Sequence, residues 1–250
     1  MKHLLLIIAI ILNSCSSFNN LTLPIAKPKF FTENHKEENF SDLIEQLAHN
    51  PEDRQILLKI AQFHIKENNC NEFIEIANKL DLSNLGASQQ IEIYNFKGKC
   101  LIKKAELKSA HENFNHTLSI DATNSLALSY IGLIHTLTRH FKEALVYHQI
   151  ALDSSPNETL ILNNMGIYSL YTRKYKEAEN YFSRALQSST EANRKQILPN
   201  LLKSLTLNKK HQKAAELLAA NYTPTESSLI AKELRILRKS GFRPIYIKYK

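Results

Sequence analysis

The sequence predicts an all-α protein built from repeated helix pairs. Only five glycines, seven prolines and no tryptophan occur in 250 residues, which argues against a turn-rich all-β architecture. A hydrophobic content of 43% and a charged content of 22% indicate a chain that folds and buries a core. Three of the glycines, Gly98, Gly132 and Gly166, lie 34 residues apart, and a constant period of this length is typical of stacked helical repeats.

Other positions share the 34-residue period. An alanine follows each glycine by twelve residues, and a ring side chain follows each alanine by four. Small residues where two helices cross allow their axes to approach closely, and a ring one turn later fills the adjacent space. The alanines are Ala110, Ala144 and Ala178, and the rings are Phe114, His148 and Phe182. This pattern resembles the tetratricopeptide repeat (TPR), which implies a solenoid of antiparallel helix pairs.

Weaker copies of the repeat flank the three clear ones. The segment from Leu57 to Leu80 fits one copy, with Ala61 in the glycine position and Phe73 in place of the alanine. The segment from Leu201 to Leu218 fits another. We therefore expect about five helix pairs within residues 41–240.

Terminal helices are expected to cover both ends of the stack. At the front, a short helix from Ser41 to His49 is predicted to have Ser41 as its N-cap. At the other end, a helix from Ser227 to Lys239 is predicted after the break at Pro224. Residues 241–250 form a basic, aromatic tail, for which a strand and a disordered segment are both open.

Residues 1–14 are interpreted as a signal peptide. Nine apolar residues, Leu4 to Leu12, follow Lys2 and His3. As a helix they would rise about 14 Å, roughly half the thickness of the bilayer core. This length favours a signal peptide over a transmembrane helix. A buried core helix is the alternative, and the N-terminal position without a polar face speaks against it.

The residues from Leu12 to Cys15 resemble the bacterial lipobox, although Asn13 departs from its usual small or aliphatic residue. The resemblance implies that Cys15 carries fatty acyl chains such as palmitate, which hold a protein on a membrane. Ser16 after the cysteine implies the outer membrane, with the protein facing the periplasm. Ordinary signal cleavage, which would give a soluble periplasmic protein, is the alternative.

Residues 15–40 are expected to form a lipid-anchored linker. Their hydrophobic spacing is irregular, and Pro24 and Pro28 would each break a helix. The formal charge of +8 is spread along the whole chain and contains no compact basic run, so we expect solvated helix faces and no nucleic-acid partner. An acidic partner or anionic lipid is the weaker alternative.

No catalytic, cofactor or metal site is predicted. His111 and His116 are five residues apart, so they diverge by roughly 140° around a helix and cannot share one metal ion. The same holds for His135 and His140, and His148 is expected to be a packed residue. Because no phosphate-binding loop, nucleophile elbow or Cys-x-x-Cys motif occurs, the sequence favours a binding protein over an enzyme.

Cys70 and Cys100 remain once Cys15 is assigned to the lipid. In an oxidising periplasm they could form a disulfide. By the repeat register, Cys70 lies near a turn between helices and Cys100 lies within the first helix of the next pair. Their separation is not fixed by the register, and two buried thiols are the alternative.

The TPR resemblance implies that the first helix of each pair lines a concave groove. The predicted lining of the middle repeats is mostly apolar, whereas the lining of the preceding repeat is polar. We expect the groove to bind a peptide or helix whose apolar side chains contact the middle repeats. The alternative is that a neighbouring repeat or the terminal helix packs against these residues. The apolar set is Leu126, Ser129, Leu133, Thr136, Leu137, Leu160, Asn163, Ile167, Leu170 and Tyr171, and the polar set is Glu92, Asn95, Lys99, Ile102 and Lys103.

The chain also resembles the Tad/Flp pilus-assembly lipoprotein family TadD, from Cys15 to Lys239. The most suggestive segments are Asn163 to Ile167, Arg173 to Ala178 and Thr223 to Glu226. The resemblance implies a pilotin-like or scaffold role for an outer-membrane lipoprotein whose partners are a secretin or other pilus-assembly proteins. A type IV pilotin, another envelope-assembly TPR lipoprotein and an adaptor for a periplasmic enzyme are the alternatives.

Overall fold

The structure, a computed structural model, describes residues 39–243 of the chain. This part contains twelve helices and no strand. The predicted signal peptide, Cys15, most of the linker and residues 244–250 of the tail lie outside the described residues. In chain order the helices are α1 (Phe40–His49), α2 (Arg54–Glu67), α3 (Cys70–Ala77), α4 (Ala87–Lys103), α5 (Leu107–Ile120), α6 (Ser125–Leu137), α7 (Phe141–Ser154), α8 (Thr159–Tyr171), α9 (Tyr175–Gln187), α10 (Glu191–Leu207), α11 (His211–Asn221) and α12 (Pro224–Ser240).

Ten of these helices form five successive pairs, from α2 with α3 to α10 with α11. The first helices of neighbouring pairs also pack against each other, as α4 does with α6, α6 with α8, and α8 with α10. Helix α1 packs on α2 at one end, and α12 packs on α10 and α11 at the other. The predicted all-α solenoid with terminal helices is therefore confirmed.

A left-handed residue ends the first helix of each pair. The five residues have φ between 58° and 68°, and none is a glycine. At each turn the amide of the following residue donates to a carbonyl five residues earlier, as Glu106 N does to Leu101 O at 2.9 Å. This bond closes the helix end and turns the chain back onto itself. The five left-handed residues are Asn68, Ala105, Arg139, Arg173 and Lys209.

The two terminal helices begin where side chains cap them, and both predicted starts were wrong. Helix α1 is capped by Asn39, whose Oδ1 accepts from the Ser41 amide at 3.3 Å, so Ser41 lies inside the helix. Helix α12 already begins at Pro224, because Thr223 and Glu226 form a reciprocal capping box in front of it. Proline fits the first turn of a helix, where its missing amide hydrogen has no partner to lose.

Close helix crossings at three glycines hold the central pairs together. A methyl group added at Gly98 would lie 2.6 Å from the Phe114 ring, and one at Gly166 would lie 2.5 Å from the Phe182 ring. No side chain larger than hydrogen fits there unless the ring moves. The 34-residue pattern of glycine and ring is thus a set of helix contacts.

The buried residues form two main clusters. The N-terminal cluster runs from Leu57 to Cys100 and includes Phe73, which takes the position of the repeat alanine. The central cluster runs from Leu101 to Leu218. Cys70 and Cys100 form a disulfide with Cα atoms 5.2 Å apart, which resolves the open alternative and links the start of α3 to α4.

Of the helices between residues 39 and 243, none combines the length and the apolar character that crossing a bilayer requires.

Candidate binding surface

The predicted groove residues of the middle repeats lie on α6 and α8, the first helices of the third and fourth pairs. Leu126 is half-buried, and the others are buried. All thirteen residues of α8 are buried. In this structure the side chains predicted to line a groove are thus packed, and their role in binding stays a prediction. The buried ones are Ser129, Leu133, Thr136, Leu137, Leu160, Asn163, Ile167, Leu170 and Tyr171.

The C-terminal end of the described chain covers part of this surface. The ring of Phe242, two residues after α12, contacts the Tyr171 ring edge to face, with centroids 5.6 Å apart. Ile230 and Leu234 of α12 also pack against the central cluster. Near Tyr171 the geometry therefore agrees with the alternative in which a terminal element packs against the first helices.

Two buried asparagines connect the first helices of three pairs. Asn164 Nδ2 donates to Ser129 Oγ of α6 at 3.1 Å, and Asn200 Nδ2 of α10 donates to Asn163 Oδ1 at 3.2 Å. Asn163 Nδ2 and Asn164 Oδ1 have no hydrogen-bond partner among the described residues. One amide donor and one amide acceptor therefore lie between the first helices without a partner, and both are buried.

The polar set predicted for the preceding repeat lies on α4. Both polar atoms of the Asn95 side chain form hydrogen bonds: Nδ2 donates to Asn124 Oδ1 at 3.3 Å, and Oδ1 accepts from Thr117 Oγ1 at 3.1 Å. Burial raises the pKa of Glu92. Lys99 is buried, Ile102 is buried, and Lys103 is exposed.

A buried carboxylate links the fourth helix pair to the fifth through hydrogen bonds. Glu179 of α9 is 6% exposed and accepts hydrogen bonds from Asn208 at 2.7 Å and from Lys210 at 2.8 Å. Lys213 lies 3.5 Å from the same carboxylate. Burial raises the pKa of Glu179, but the bonds from Lys210 and Asn208 and the two lysine charges outweigh it, so the pKa is lowered.

Three histidines from different parts of the sequence lie together between the second and third pairs. The His135 ring is 5.9 Å from the His111 ring and 5.8 Å from the His140 ring. Burial lowers the pKa of His135, and the charges of the other two lower it further. Among residues 39–243, no group of three or more His, Cys, Asp or Glu side chains could hold a metal ion.

His148 occupies the ring position of the third pair, as its place in the repeat predicts. It is completely buried, and a methyl group added at Gly132 would lie 2.8 Å from its ring. Its Nε2 is 3.3 Å from Thr136 Oγ1, whereas its Nδ1 has no partner among the described residues. Burial, with a smaller effect of His135, lowers the pKa of His148 to about 3, so the ring is neutral at pH 7.

The sequence analysis missed an apolar patch on the second helix α7. Leu145, Val146 and Ile150 are 42%, 57% and 46% exposed. Alignment of the copies in the 34-residue register contains the signal that could have found it, since the same positions are polar in the neighbouring pairs. Those positions hold His111, Glu112 and His116 in α5, and Glu179, Asn180 and Arg184 in α9.

A cleft of about 220 Å³ lies between α10, α11 and α12. Its floor consists of small and aliphatic side chains, including Ala214, Leu218 and Leu234, and basic groups of Arg235 and Arg238 line it as well. This cleft lies at the C-terminal end of the stack.

The register of glycines and rings, the five helix pairs and the parallel stacking of first helices define a helical repeat protein of the TPR class. The sequence matches the coatomer epsilon subunit family over residues 22–233, and the chain belongs to that family. No curated protein matches the sequence.

Solved structures with TPR architecture are similar to the chain in fold. The APC/C hetero-tetramer Cut9-Hcn1 matches 77% of this chain with a TM-score of 0.59 and 16% identity, and this chain covers only 36% of that one. A tetratricopeptide repeat protein from Parabacteroides merdae matches 80% of this chain and 79% of its own, with a TM-score of 0.57 and 12% identity. PilW, a widely conserved type IV pilus biogenesis factor, matches 79% of this chain and 88% of its own, with a TM-score of 0.54 and 18% identity. The predicted TPR fold is thereby confirmed.

Proposed function

We propose that this chain is a non-enzymatic protein-interaction scaffold of the bacterial cell envelope that assists pilus or secretin assembly. The observation that carries the proposal is the stack of five helix pairs, because such a stack presents an extended surface made by several repeats. The first helices that form it carry apolar side chains and the amide groups of Asn163 and Asn164, which are buried in this structure. Apolar anchors and backbone-pairing groups are the two features that hold a bound polypeptide.

A pilus-assembly client is the most specific form of this proposal. The resemblance to the Tad/Flp family suggests a secretin or a pilus-assembly protein as the partner. The similar fold of PilW, a pilus biogenesis factor of comparable length, supports the same class of client. A type IV pilotin-like protein, another envelope-assembly TPR lipoprotein and an adaptor that recruits a periplasmic enzyme are the alternative forms.

The proposed location is the outer membrane, with the protein facing the periplasm. It depends on the signal peptide at residues 1–14, on acylation of Cys15 and on Ser16 after it. The predicted linker, which the start of α1 at Phe40 shortens by one residue, would allow the repeats to stand off from the membrane. A soluble periplasmic protein is the alternative if Cys15 is not acylated.

Affinity purification from crosslinked native membranes tests both the client and the anchor. The intact protein is compared with a Cys15→Ala variant. We expect the intact protein to capture a secretin or a pilus-assembly protein, and the variant to capture less of it and to leave the membrane fraction. Capture of an unrelated enzyme to the same extent by both forms would contradict the anchor and the pilus role.

A pair of leucine variants tests whether the first helices bind the client. Leu126 on α6 and Leu152 on α7 are both half-buried, so replacing either with glutamine removes a similar apolar contact. We expect Leu126→Gln to reduce client capture at least fivefold and Leu152→Gln to leave it within twofold, since hydrophobic anchors contribute about 1 to 3 kcal/mol each. Equal capture by both variants would contradict a binding role for the first helices.

A further inference from the structure

The two terminal helices of the stack carry opposite net charges. Helix α1 contains two acidic residues, Asp42 and Glu45, and no lysine or arginine. Helix α12 contains four basic residues and two acidic ones. Residues 224–250 contain seven basic and two acidic side chains, so this end accounts for five of the eight net positive charges. Lysines occur along the whole chain, but the net positive charge is concentrated at its C-terminal end.

One face of α12 exposes both large apolar and basic side chains. Leu229 and Ile236 are 63% and 51% exposed, and their spacing of seven residues places them on the same side of the helix. Lys232 and Lys239 follow them by three residues each and are exposed as well, so they lie beside them. The opposite side of α12 packs against the central cluster, for example through Leu234. The solvent-facing side therefore alternates aliphatic and cationic groups.

The cations of α12 have no carboxylate partner, whereas both of its carboxylates interact elsewhere. Glu226 forms the capping box at the start of the helix. Burial lowers the pKa of Lys203 on α10, and the charge of Glu233 opposes that shift. Within the described part of the chain, no ion pair involves any of the four cations, so they are available to a negative charge from outside the chain. The four cations are those of Lys232, Arg235, Arg238 and Lys239.

The shape of this face fits a planar partner. Helix α12 packs on α10 and α11, and its 17 residues extend over about 25 Å. The exposed row lies along the outside of one helix, so it is straight and convex. Arg243 after the helix is exposed too, and residues 244–250, which lie outside the described part, add two lysines and no acidic residue. A bilayer of anionic lipid supplies negative charge over a whole plane and needs no complementary pocket.

We propose that the exposed face of α12 binds the surface of an anionic phospholipid bilayer. The lysine ammonium groups contact lipid phosphates, and the side chains of Leu229 and Ile236 enter the boundary between headgroups and acyl chains. An acidic protein would attract the same cations, but it would need a matching pocket for each aliphatic side chain. This contact goes beyond the proposed scaffold function, because it depends neither on the client nor on acylation of Cys15. It places the C-terminal end of the stack against the membrane.

The test measures partitioning of the full-length Cys15→Ala chain onto lipid vesicles by cosedimentation at physiological salt. Cys15→Ala removes any acyl anchor, which would hold every variant on the vesicles. Vesicles of phosphatidylcholine are compared with vesicles of equal parts phosphatidylcholine and phosphatidylglycerol, and the ratio of the two partition coefficients is the readout. We expect this ratio to be at least about ten, since each basic side chain near an anionic surface strengthens binding about fivefold. Equal partitioning onto both vesicles would overturn the proposal.

Two double variants separate the charge of this face from the charge of the whole chain. Lys232→Gln combined with Lys239→Gln should lower the ratio at least about fivefold. Lys108→Gln combined with Lys142→Gln is the matched control, because it removes two charges from exposed positions on α5 and α7. It should change the ratio less than about twofold, since charges far from the contact are screened. An equal decrease in both double variants would show that α12 is not the contact.

A pair of isoleucine variants tests the apolar part of the face. Ile236 on α12 and Ile44 on α1 are similarly exposed, at 51% and 45%. Ile236→Gln should lower partitioning onto the anionic vesicles at least about threefold and Ile44→Gln less than about twofold. The same effect in both would contradict insertion of this face.

Thermal unfolding checks the fold of every variant. The substituted side chains are exposed, so the midpoints should match that of the parent chain, and Leu229→Gln is the second test if Ile236→Gln unfolds. Client capture is tested separately at Leu126, so the scaffold role and this membrane contact can fail independently.

Discussion

The N-terminal and central clusters are both built from antiparallel helix pairs, but different contacts hold the pairs together in each. In the central cluster, Gly166 contacts the Phe182 ring of the second helix so closely that no methyl group fits between them. In the N-terminal cluster, Ala61 takes the glycine position and Phe73 takes the alanine position. That cluster contains the Cys70–Cys100 disulfide. The comparison indicates that a covalent link supports the pair in which the repeat pattern is weakest.

The two clusters also differ in the type of polar side chain that is buried in or beside them. Beside the N-terminal cluster, the buried Lys99 is held by Asn68 in the disulfide-linked turn. The central stack buries an imidazole, His148, where the neighbouring pairs have phenylalanine. Water stabilises the charged form of each group, and burial in the protein removes that stabilisation. Each region therefore buries a titratable nitrogen group among apolar side chains.

The largest effect is expected from removing a central ring. Phe182 is completely buried against Gly166, so Phe182→Ala should lower the free energy of unfolding by about 4 kcal/mol. Urea denaturation followed by circular dichroism measures it. Phe242→Ala, which truncates a half-buried ring at the end of the stack, is the control and should cost much less. Equal losses would show that the close glycine crossings do not dominate the central cluster.

The second prediction concerns the disulfide. Replacing both Cys70 and Cys100 with alanine opens a loop of 30 residues, and the loop-entropy relation gives a loss of about 3 to 4 kcal/mol. The loss should be confined to α3 and α4, where amide hydrogen exchange should become faster while α8 and α9 keep their protection. Exchange that rises uniformly in all pairs would show that the two clusters unfold as one unit.

The third prediction uses the pKa of His148. The folded protein protonates this ring near pH 3, whereas the unfolded chain does so near pH 6.5. The unfolded state therefore binds more protons between these values, and stability falls as the pH drops, by about 2.5 kcal/mol between pH 6.5 and 4.5. His148→Phe should abolish this part of the pH dependence in urea denaturation. His211→Gln, which removes an exposed imidazole, should leave it unchanged, and an identical slope in all three proteins would contradict the assignment.

The smallest effect is expected at the turn between α4 and α5, where the two clusters meet. Ala105 adopts φ of 61°, a conformation that glycine reaches without the cost paid by a Cβ atom, so Ala105→Gly should stabilise the fold by about 1 kcal/mol. Ala215, another exposed alanine, which lies inside α11, is the matched control, and Ala215→Gly should destabilise by about the same amount. Thermal unfolding of both variants measures the difference in sign.

Much of the fold could be predicted because the repeat acts through local periodicity. The spacing of Gly98, Gly132 and Gly166 predicts the three clear pairs, and Pro156 marks the approach to α8 at Thr159. The N-cap at Asn39 and the helix start at Pro224 were missed because capping depends on which of several adjacent polar residues turns its side chain to the free amides. Residue type alone does not determine that choice between Asn39 and Ser41.

The candidate surface was harder to predict than the fold. The register places Leu133, Asn163 and Tyr171 on the first helices, as expected, but their burial depends on which elements pack over them. Phe242 reaches Tyr171 from residues after the last helix, and no periodic pattern indicates such a contact. The exposed patch at Leu145 on α7 was missed because it differs from its neighbouring copies, whereas the search for repeats looked for shared residues.

The sequence by itself determined the helix pairs, their number and the residues at their close crossings, because these follow from spacing within one chain segment. Only the tertiary structure decided that Cys70 and Cys100 are bonded, that His111, His135 and His140 lie together, and that Lys99 is buried beside Lys103 and Asn68. The reason is physical: bond formation and charge burial depend on distances between segments, and the superhelical stacking of the pairs sets those distances.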